Sequence, residues 1–455
     1  MTTSAEDSRW FPGVLLLGLI MSIVVQATRP MATYRTLELG GGYVEIGVVA
    51  ASFALVSVPL ALPIGRWIDR VGERVLISAG MAIMAGSAVA AMVAPSIPVL
   101  VAAAAGLGLG HVGLAVSLQA IVANRSRDSE SDSRFGHFSV FQSLGQLVGP
   151  LGAGLLAAND GGTPRTELVF AACASISVLG VVVSLFLWRA DHHAAKATAP
   201  PPMANSETTP ALSRVMAVPG MPRAMLTGIV VLVAINVVIA YLPAYGTEIG
   251  LSVQVVGALL AVRAGASMAS RLLLGTLRSR MTRQSLLVLC MLTPAIALSM
   301  VPLVTTIPLL MIAMAFTGAG LGLGQPLTLA WVAMQAPRDL RGTAMAARMA
   351  GARIGQVVVP GMAGGIAALA GSTAVFWSLG LVLAASAAII RFGEAFSDDG
   401  RRRVKESSGP QCPGRDRQRA CTRPSSSTVV GRGGRSSRSS WRPPPGSTSG
   451  TPPPP

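Results

Sequence analysis

Six ionisable side chains fall inside long apolar stretches of this 455-residue sequence: Arg29, His111, Arg263, Arg271, Arg348 and Arg353. A charge at membrane depth is expensive, so each is a candidate for function. The same stretches hold essentially no Asp or Glu. A buried cation without a carboxylate needs carbonyls, water or an anionic ligand, and the guanidinium fork matches carboxylate and phosphate geometry. We therefore expect an electropositive cavity that favours an anionic or carboxylate-bearing solute. The alternative is that these arginines hydrogen-bond helix carbonyls and hold a bundle together. At about 1.5 Å per helical residue, Arg263 and Arg353 lie near the middle of their stretches, and Arg29 about one-third of the way in. Arg271 and Arg348 lie within about 8 Å of an end, where their long stems reach the surface.

Other residues suit supporting chemistry. His111 titrates near neutrality when unperturbed, which makes it the candidate for proton coupling; a packing histidine is the competing reading. The neutral polar residues Gln26, Tyr34, Gln119, Gln142, Asn236, Tyr241 and Gln325 could line the cavity or bridge helices. Gln142 and Gln146 share one helix face by their i,i+4 spacing, and Pro243, Pro326 and Pro360 mark bends. The four cysteines, at 173, 290, 412 and 421, lack metal-ligand spacing. No His-Glu-x-x-His, paired Asp cluster or phosphate-binding Gly-x-x-x-x-Gly-Lys stretch occurs. We expect no catalytic residue, metal or cofactor.

The elements that must position these groups are legible from hydropathy. The chain is 51% hydrophobic and only 12% charged, about half the charge of an ordinary soluble domain, with mean hydropathy +0.58. Twelve runs approach the roughly 20 apolar residues needed to cross a bilayer: about 13–35, 43–64, 75–95, 98–123, 136–158, 168–188, 224–245, 253–277, 285–303, 307–332, 343–369 and 372–391. Only helices or closed barrels can face lipid, so the expected fold is an all-α polytopic membrane protein. With the N-terminus cytoplasmic, the inside loops carry 15 Lys or Arg and the outside loops two, Arg35 and Arg165. This asymmetry places both termini inside. The expected domains are a cytoplasmic N-terminus (1–12), a six-helix bundle (13–188), a polar linker (189–223), a second six-helix bundle (224–392) and a Ser/Arg/Gly/Pro-rich tail (393–455). The tail's composition fits a disordered basic segment or a coding region read out of frame. Its stretch 400–455 carries 12 basic and two acidic residues of a chain whose net charge is +16, so the basic total does not point to nucleic acid.

The two bundles repeat each other. Gly-Leu-Gly-Leu-Gly at 106–110 returns at 320–324, an offset of 214, which sets His111 against Gln325. Gly145-Gln146 and Pro150 return as Gly355-Gln356 and Pro360, and Gly65 and Arg70 as Gly275 and Arg280, at an offset of 210. This is the pattern of two like halves related by an axis along the membrane normal, with a cavity between them.

Here the chain resembles the major facilitator superfamily (MFS) over about 11–392. The loop Gly65-Arg66-Trp67-Ile68-Asp69-Arg70-Val71-Gly72-Glu73-Arg74 is similar to that family's signature between spans two and three. The resemblance implies that Asp69, Arg70 and Arg74 latch the outward-facing state, with Gly65 and Gly72 permitting the turn; a solvated ion pair is the alternative. The second copy departs, with Ser279 for the acid and Thr282 for the second glycine. Gly145, Gly149, Pro150, Gly152 and Gly154 in span five are similar to the helix-bend motif of the family's exporters; a plain packing face would serve importers too. In the family, spans one, four, seven, eight, ten and eleven border the cavity, which suits Arg29, His111, Arg263 and Arg353.

The resulting expectation is a secondary transporter, not an enzyme, moving a small solute by alternating access, proton-coupled, with export favoured and an anionic substrate. It would work as a monomer in the plasma membrane, with the lipid bilayer and the solute as its partners. The alternatives are an importer of a carboxylate, a polytopic membrane enzyme, or a non-transporting sensor.

Overall fold

The computed structural model describes residues 10–56, 59, 72–126, 128–159, 163–189, 213–336 and 340–392. Among these, every regular element is helical. The order is α1 (Trp10–Glu38), α2 (Tyr43–Leu55), α3 (Glu73–Met92), α4 (Ile97–Arg125), α5 (Asp128–Leu156), α6 (Thr166–Arg189), α7 (Met221–Glu248), α8 (Val253–Leu272), the short α9 (Leu274–Arg280), α10 (Arg283–Met300), α11 (Ile307–Gln335) and α12 (Arg341–Phe392). Residues 60–71, most of the linker and the tail lie outside the described set.

Nine of the described helices are long and apolar enough to cross a membrane. The other expected spans show why the count differs. The described part of α2 is 13 residues long. α5 is 29 residues long but opens on the polar stretch Asp128 to Arg134. α12 runs for 52 residues, about 78 Å if straight, more than twice the thickness of a bilayer core. It breaks at Gly371, where φ is 79° and ψ 168°, a conformation open essentially to glycine alone. The expected spans 343–369 and 372–391 thus meet at a single residue. Caps fix other starts: Ser252 Oγ accepts from the Val255 amide at 3.4 Å, and Thr282 Oγ1 from the Ser285 amide at 3.2 Å.

The repeat has one spacing throughout, 210 residues. α1 and α7 end at Glu38 and Glu248, and α4 and α11 begin at Ile97 and Ile307. Close contacts repeat with it. A Cβ on Gly108 would overlap the Phe53 carbonyl, and one on Gly318 the Arg263 carbonyl. Gly18 lies under the Phe138 ring and Gly228 under the Arg348 guanidinium. The Gly-Leu-Gly-Leu-Gly match at 214 is therefore one helical turn out of register. The counterpart of 106–110 is 316–320, His111 corresponds to Leu321 rather than Gln325, and Gln26 corresponds to Asn236.

Each half has its own apolar core, and Ile46 of α2 is packed into the core of the second half. The outer surface is apolar as well: Leu155, Phe186 and Leu381 are more than half exposed, as expected where the solvent is lipid. The halves meet in a seam of glycines. A Cβ on Gly47 would lie 2.6 Å from the Pro360 oxygen, and one on its counterpart Gly257 2.6 Å from the Pro150 oxygen. Gly154 abuts the Val253 carbonyl, and its counterpart Gly364 the Tyr43 carbonyl. Thr33 Oγ1 donates to the Ala240 carbonyl at 2.9 Å. Tyr241 Oη donates to the Pro360 carbonyl at 2.8 Å and approaches the Tyr43 carbonyl at 3.4 Å. These contacts all lie toward the end of the molecule that carries the Gly40, Gly250 and Gly371 turns. The opposite end carries Arg74, Arg125, Arg223, Arg278 and Arg283, and is called the basic end below.

Candidate functional site

Three planar groups stack inside the first half. The Arg29 guanidinium carbon of α1 lies 4.8 Å from the ring centroid of Phe53 in α2. The imidazole of His111 in α4 lies 5.5 Å from the same ring, tilted by 37°. Gly108 lets α4 come this close by meeting the Phe53 backbone without a side chain. Cation–π attraction is worth about 2 kcal/mol when desolvated, so Phe53 offsets part of the cost of burying Arg29. It supplies no counter-charge. His111 Nδ1 is buried without a hydrogen-bond partner among the described residues.

In the second half, Arg263 occupies the place that Phe53 holds in the first. It is only 3% exposed, and its Nε has no partner among the described residues. Arg353 reaches Gln356 Oε1 at 3.5 Å through Nη1. Arg29 is close enough to Arg263 and Arg353 for mutual Coulombic repulsion, and His111 is within the same range of Arg353 and Arg29. Three guanidiniums, from α1, α8 and α12, and the α4 imidazole thus gather around Arg29 as a cationic centre. The ion pairs among the described residues lie elsewhere: Arg35 with Glu38 at 3.0 Å and with Glu167 at 3.4 Å, and Arg134 with Glu130 at 2.6 Å.

Arg271 and Arg348 differ from these. Pro326 lacks the amide that would bond the Gly322 carbonyl one turn earlier, and Arg271 Nε donates to that carbonyl at 3.2 Å. Arg271 Nη2 reaches Gln325 Oε1 at 3.3 Å. Arg348 Nη2 reaches Thr328 Oγ1 at 3.3 Å. The bundle-holding alternative thus fits Arg271 and Arg348, and does not describe Arg263.

The neutral candidates scatter. Asn236 donates to the Leu232 carbonyl of its own helix at 2.7 Å. Tyr241 is fully buried in the seam. Gln119 is exposed and Gln142 half-buried, and Gln325 serves Arg271. Tyr34 is buried with its hydroxyl unpartnered among the described residues. A cavity of about 40 Å³ beside Arg29 and Phe53, lined also by Thr28, Thr33, Ser87 and Ile239, holds a few water molecules at most. Of the latch, Gly65, Asp69 and Arg70 lie outside the described residues. Gly72 opens α3 with φ 88°, and Glu73 Oε1 accepts from Asn124 Nδ2 at 2.7 Å. In the helix-bend motif, Gly145 and Gly149 meet the α1 backbone, Gly154 meets α8 and Gly152 meets nothing, while Pro150 lies inside α5.

Sequence reasoning missed Phe53 and the seam glycines Gly47, Gly257 and Gly364. The available signal was the offset of 210, which sets a phenyl ring in one half where the other carries an arginine.

Two pseudo-equivalent helical halves around a cationic centre, with an apolar outer surface, define a polytopic membrane transporter rather than an enzyme. The chain belongs to the Major Facilitator Superfamily, whose family model matches residues 14–307 and 224–443. No curated protein matches it in sequence. Solved structures match in fold. A variant of the nucleoside transporter NupG is 12% identical, with TM-score 0.71 over 84% of this chain and 98% of that one. A bacterial homolog of the human lysosomal transporter Spinster, inward-facing and unoccupied, is 15% identical, with TM-score 0.66 over 87% and 96%. A D-xylose–proton symporter is 17% identical, with TM-score 0.64 over 84% and 96%.

Proposed function

We propose that the protein moves a small organic anion across the plasma membrane by alternating access, as a monomer, with its basic end and both termini in the cytoplasm. The observation that carries this reading is Arg263, a guanidinium 3% exposed and unpaired among the described residues, facing the fields of other arginines. Only an anion that enters and leaves with the cycle supplies the missing counter-charge without filling the site permanently. Arg29, Arg263 and Arg353 bind it, and Gln119, Gln142, Asn236 and Gln325 are the neutral contacts proposed beside them. His111 takes the coupling proton. Asp69, Arg70 and Arg74 latch the outward-facing state, and the span-five motif favours export.

The test uses the full chain in proteoliposomes and a panel of radiolabelled mono- and dicarboxylates, read by counterflow. At least one carboxylate is expected to exchange, with Arg263→Gln and Arg353→Gln reducing its flux to the protein-free background and Arg263→Lys retaining part of it. Counterflow of neutral solutes alone, or carboxylate flux unchanged in both glutamine variants, overturns the reading.

A further inference from the structure

α5 and α8 touch through Gly154 and Gly257 at one end of the seam and separate toward the basic end. The crevice between them there has a volume of about 330 Å³. Its described polar lining is a guanidinium, an imidazole and the hydroxyls of Ser133, Ser139 and Ser143, with no carboxylate among the described lining residues. Ser143 Oγ donates to the Ser139 carbonyl at 2.8 Å, and Ser133 Oγ lies 3.5 Å from His137 Nδ1. Arg271 is held from behind by Gly322 and Gln325, which leaves Nη1 without a protein partner among the described residues. His137 Nδ1 donates to the Ser133 carbonyl at 2.7 Å, which leaves Nε2 of the neutral ring an acceptor and not a donor to an anion. The Phe11 ring meets the imidazole edge-on at 6.4 Å and fixes its plane. The remaining wall is aliphatic and continues into the lipid-facing surface: Leu272 is 69% exposed and the adjoining Leu273 56%.

A cationic, hydroxyl-lined recess near the membrane surface that runs outward into an apolar wall matches one kind of molecule, a phosphate headgroup with acyl chains attached. A free phosphate would use the arginine and serines and leave the aliphatic wall unexplained. We propose that the α5–α8 crevice binds an anionic phospholipid, with its phosphate on Arg271 Nη1 and the Ser133 and Ser139 hydroxyls and its chains along Leu272. Such a headgroup wedges the two helices apart at the basic end, and so favours the conformation in which the glycine seam is closed. The crevice lies at the basic end of the same interface, with Arg271 eight residues, about 12 Å, along α8 from Arg263, and the proposal does not depend on which solute is carried.

The test titrates the purified full-length protein in detergent with phosphatidylglycerol or phosphatidylcholine and reads retained lipid by native mass spectrometry and unfolding temperature. Wild type is expected to prefer phosphatidylglycerol about fivefold, the weight of one arginine near an anionic headgroup. Arg271→Gln should abolish that preference. Gly136→Leu should abolish it too by filling the crevice. A Cβ there meets nothing within 4 Å, so this variant is expected to fold, checked by its unfolding temperature without lipid, and it decides the matter if Arg271→Gln does not. Arg165→Gln, at the other end of the molecule, should keep the preference. Equal binding of the two lipids by wild type, or a preference that survives Gly136→Leu, overturns the proposal. So does inorganic phosphate at millimolar concentration that displaces phosphatidylglycerol and reproduces its stabilisation, because the site is then one for free anions.

Discussion

Phe53 shows how a charge is kept in an apolar bundle without an acid. Its ring accepts Arg29 on one side and His111 on another, so a cation, a π-face and a titratable imidazole share one small volume. In the proposed cycle, the coupling proton on His111 and the anion enter this volume together. His111→Gln should abolish accumulation driven by a pH gradient while leaving anion counterflow in the absence of a gradient; gradient-driven accumulation equal to wild type would remove His111 from the proton path. The arginines were legible in the sequence because lipid makes such residues rare. Phe53 was not, since an aromatic residue in an apolar run reads as packing.

Among the elements, the seam sets the conformation. α2 and α12, and equivalently α5 and α8, approach so closely that backbone carbonyls face Gly47 and Gly257. Gly257→Val places carbon about where the Pro150 carbonyl now contacts the helix, so that end of the molecule cannot close. A disulfide between Thr33→Cys and Ala240→Cys should form readily in the wild-type background and be lost with Gly257→Val, together with transport. An undiminished disulfide would show that the seam tolerates the side chain. The sequence revealed that such glycines repeat, but it set one pair of runs a turn out of register. Four residues make 400° of helix rotation, about 40° from the same face, so a four-residue slip leaves a glycine stripe looking nearly unchanged. The contacts of Gly108 and Gly318, with the helix ends and the seam glycines, fix the spacing.

For the molecule as a whole, the proposed orientation rests on the sum of loop arginines rather than on any single residue. Both cysteines of the membrane part, Cys173 and Cys290, are buried, so the test of orientation uses Cys412 and Cys421, outside the described residues. A membrane-impermeant maleimide should label them in permeabilised cells and leave them unlabelled in intact cells; labelling in intact cells would invert the topology. The two-halves plan was legible because bilayer thickness imposes a length on every span, whereas the pair 343–369 and 372–391 gave no sign of how abruptly it turns. That turn at Gly371 has a mechanical consequence. Two spans joined through one residue have no loop between them to take up motion. In the proposed rocking of the halves, a roll of the first limb of α12 along α2 passes to the final limb through Gly371 alone.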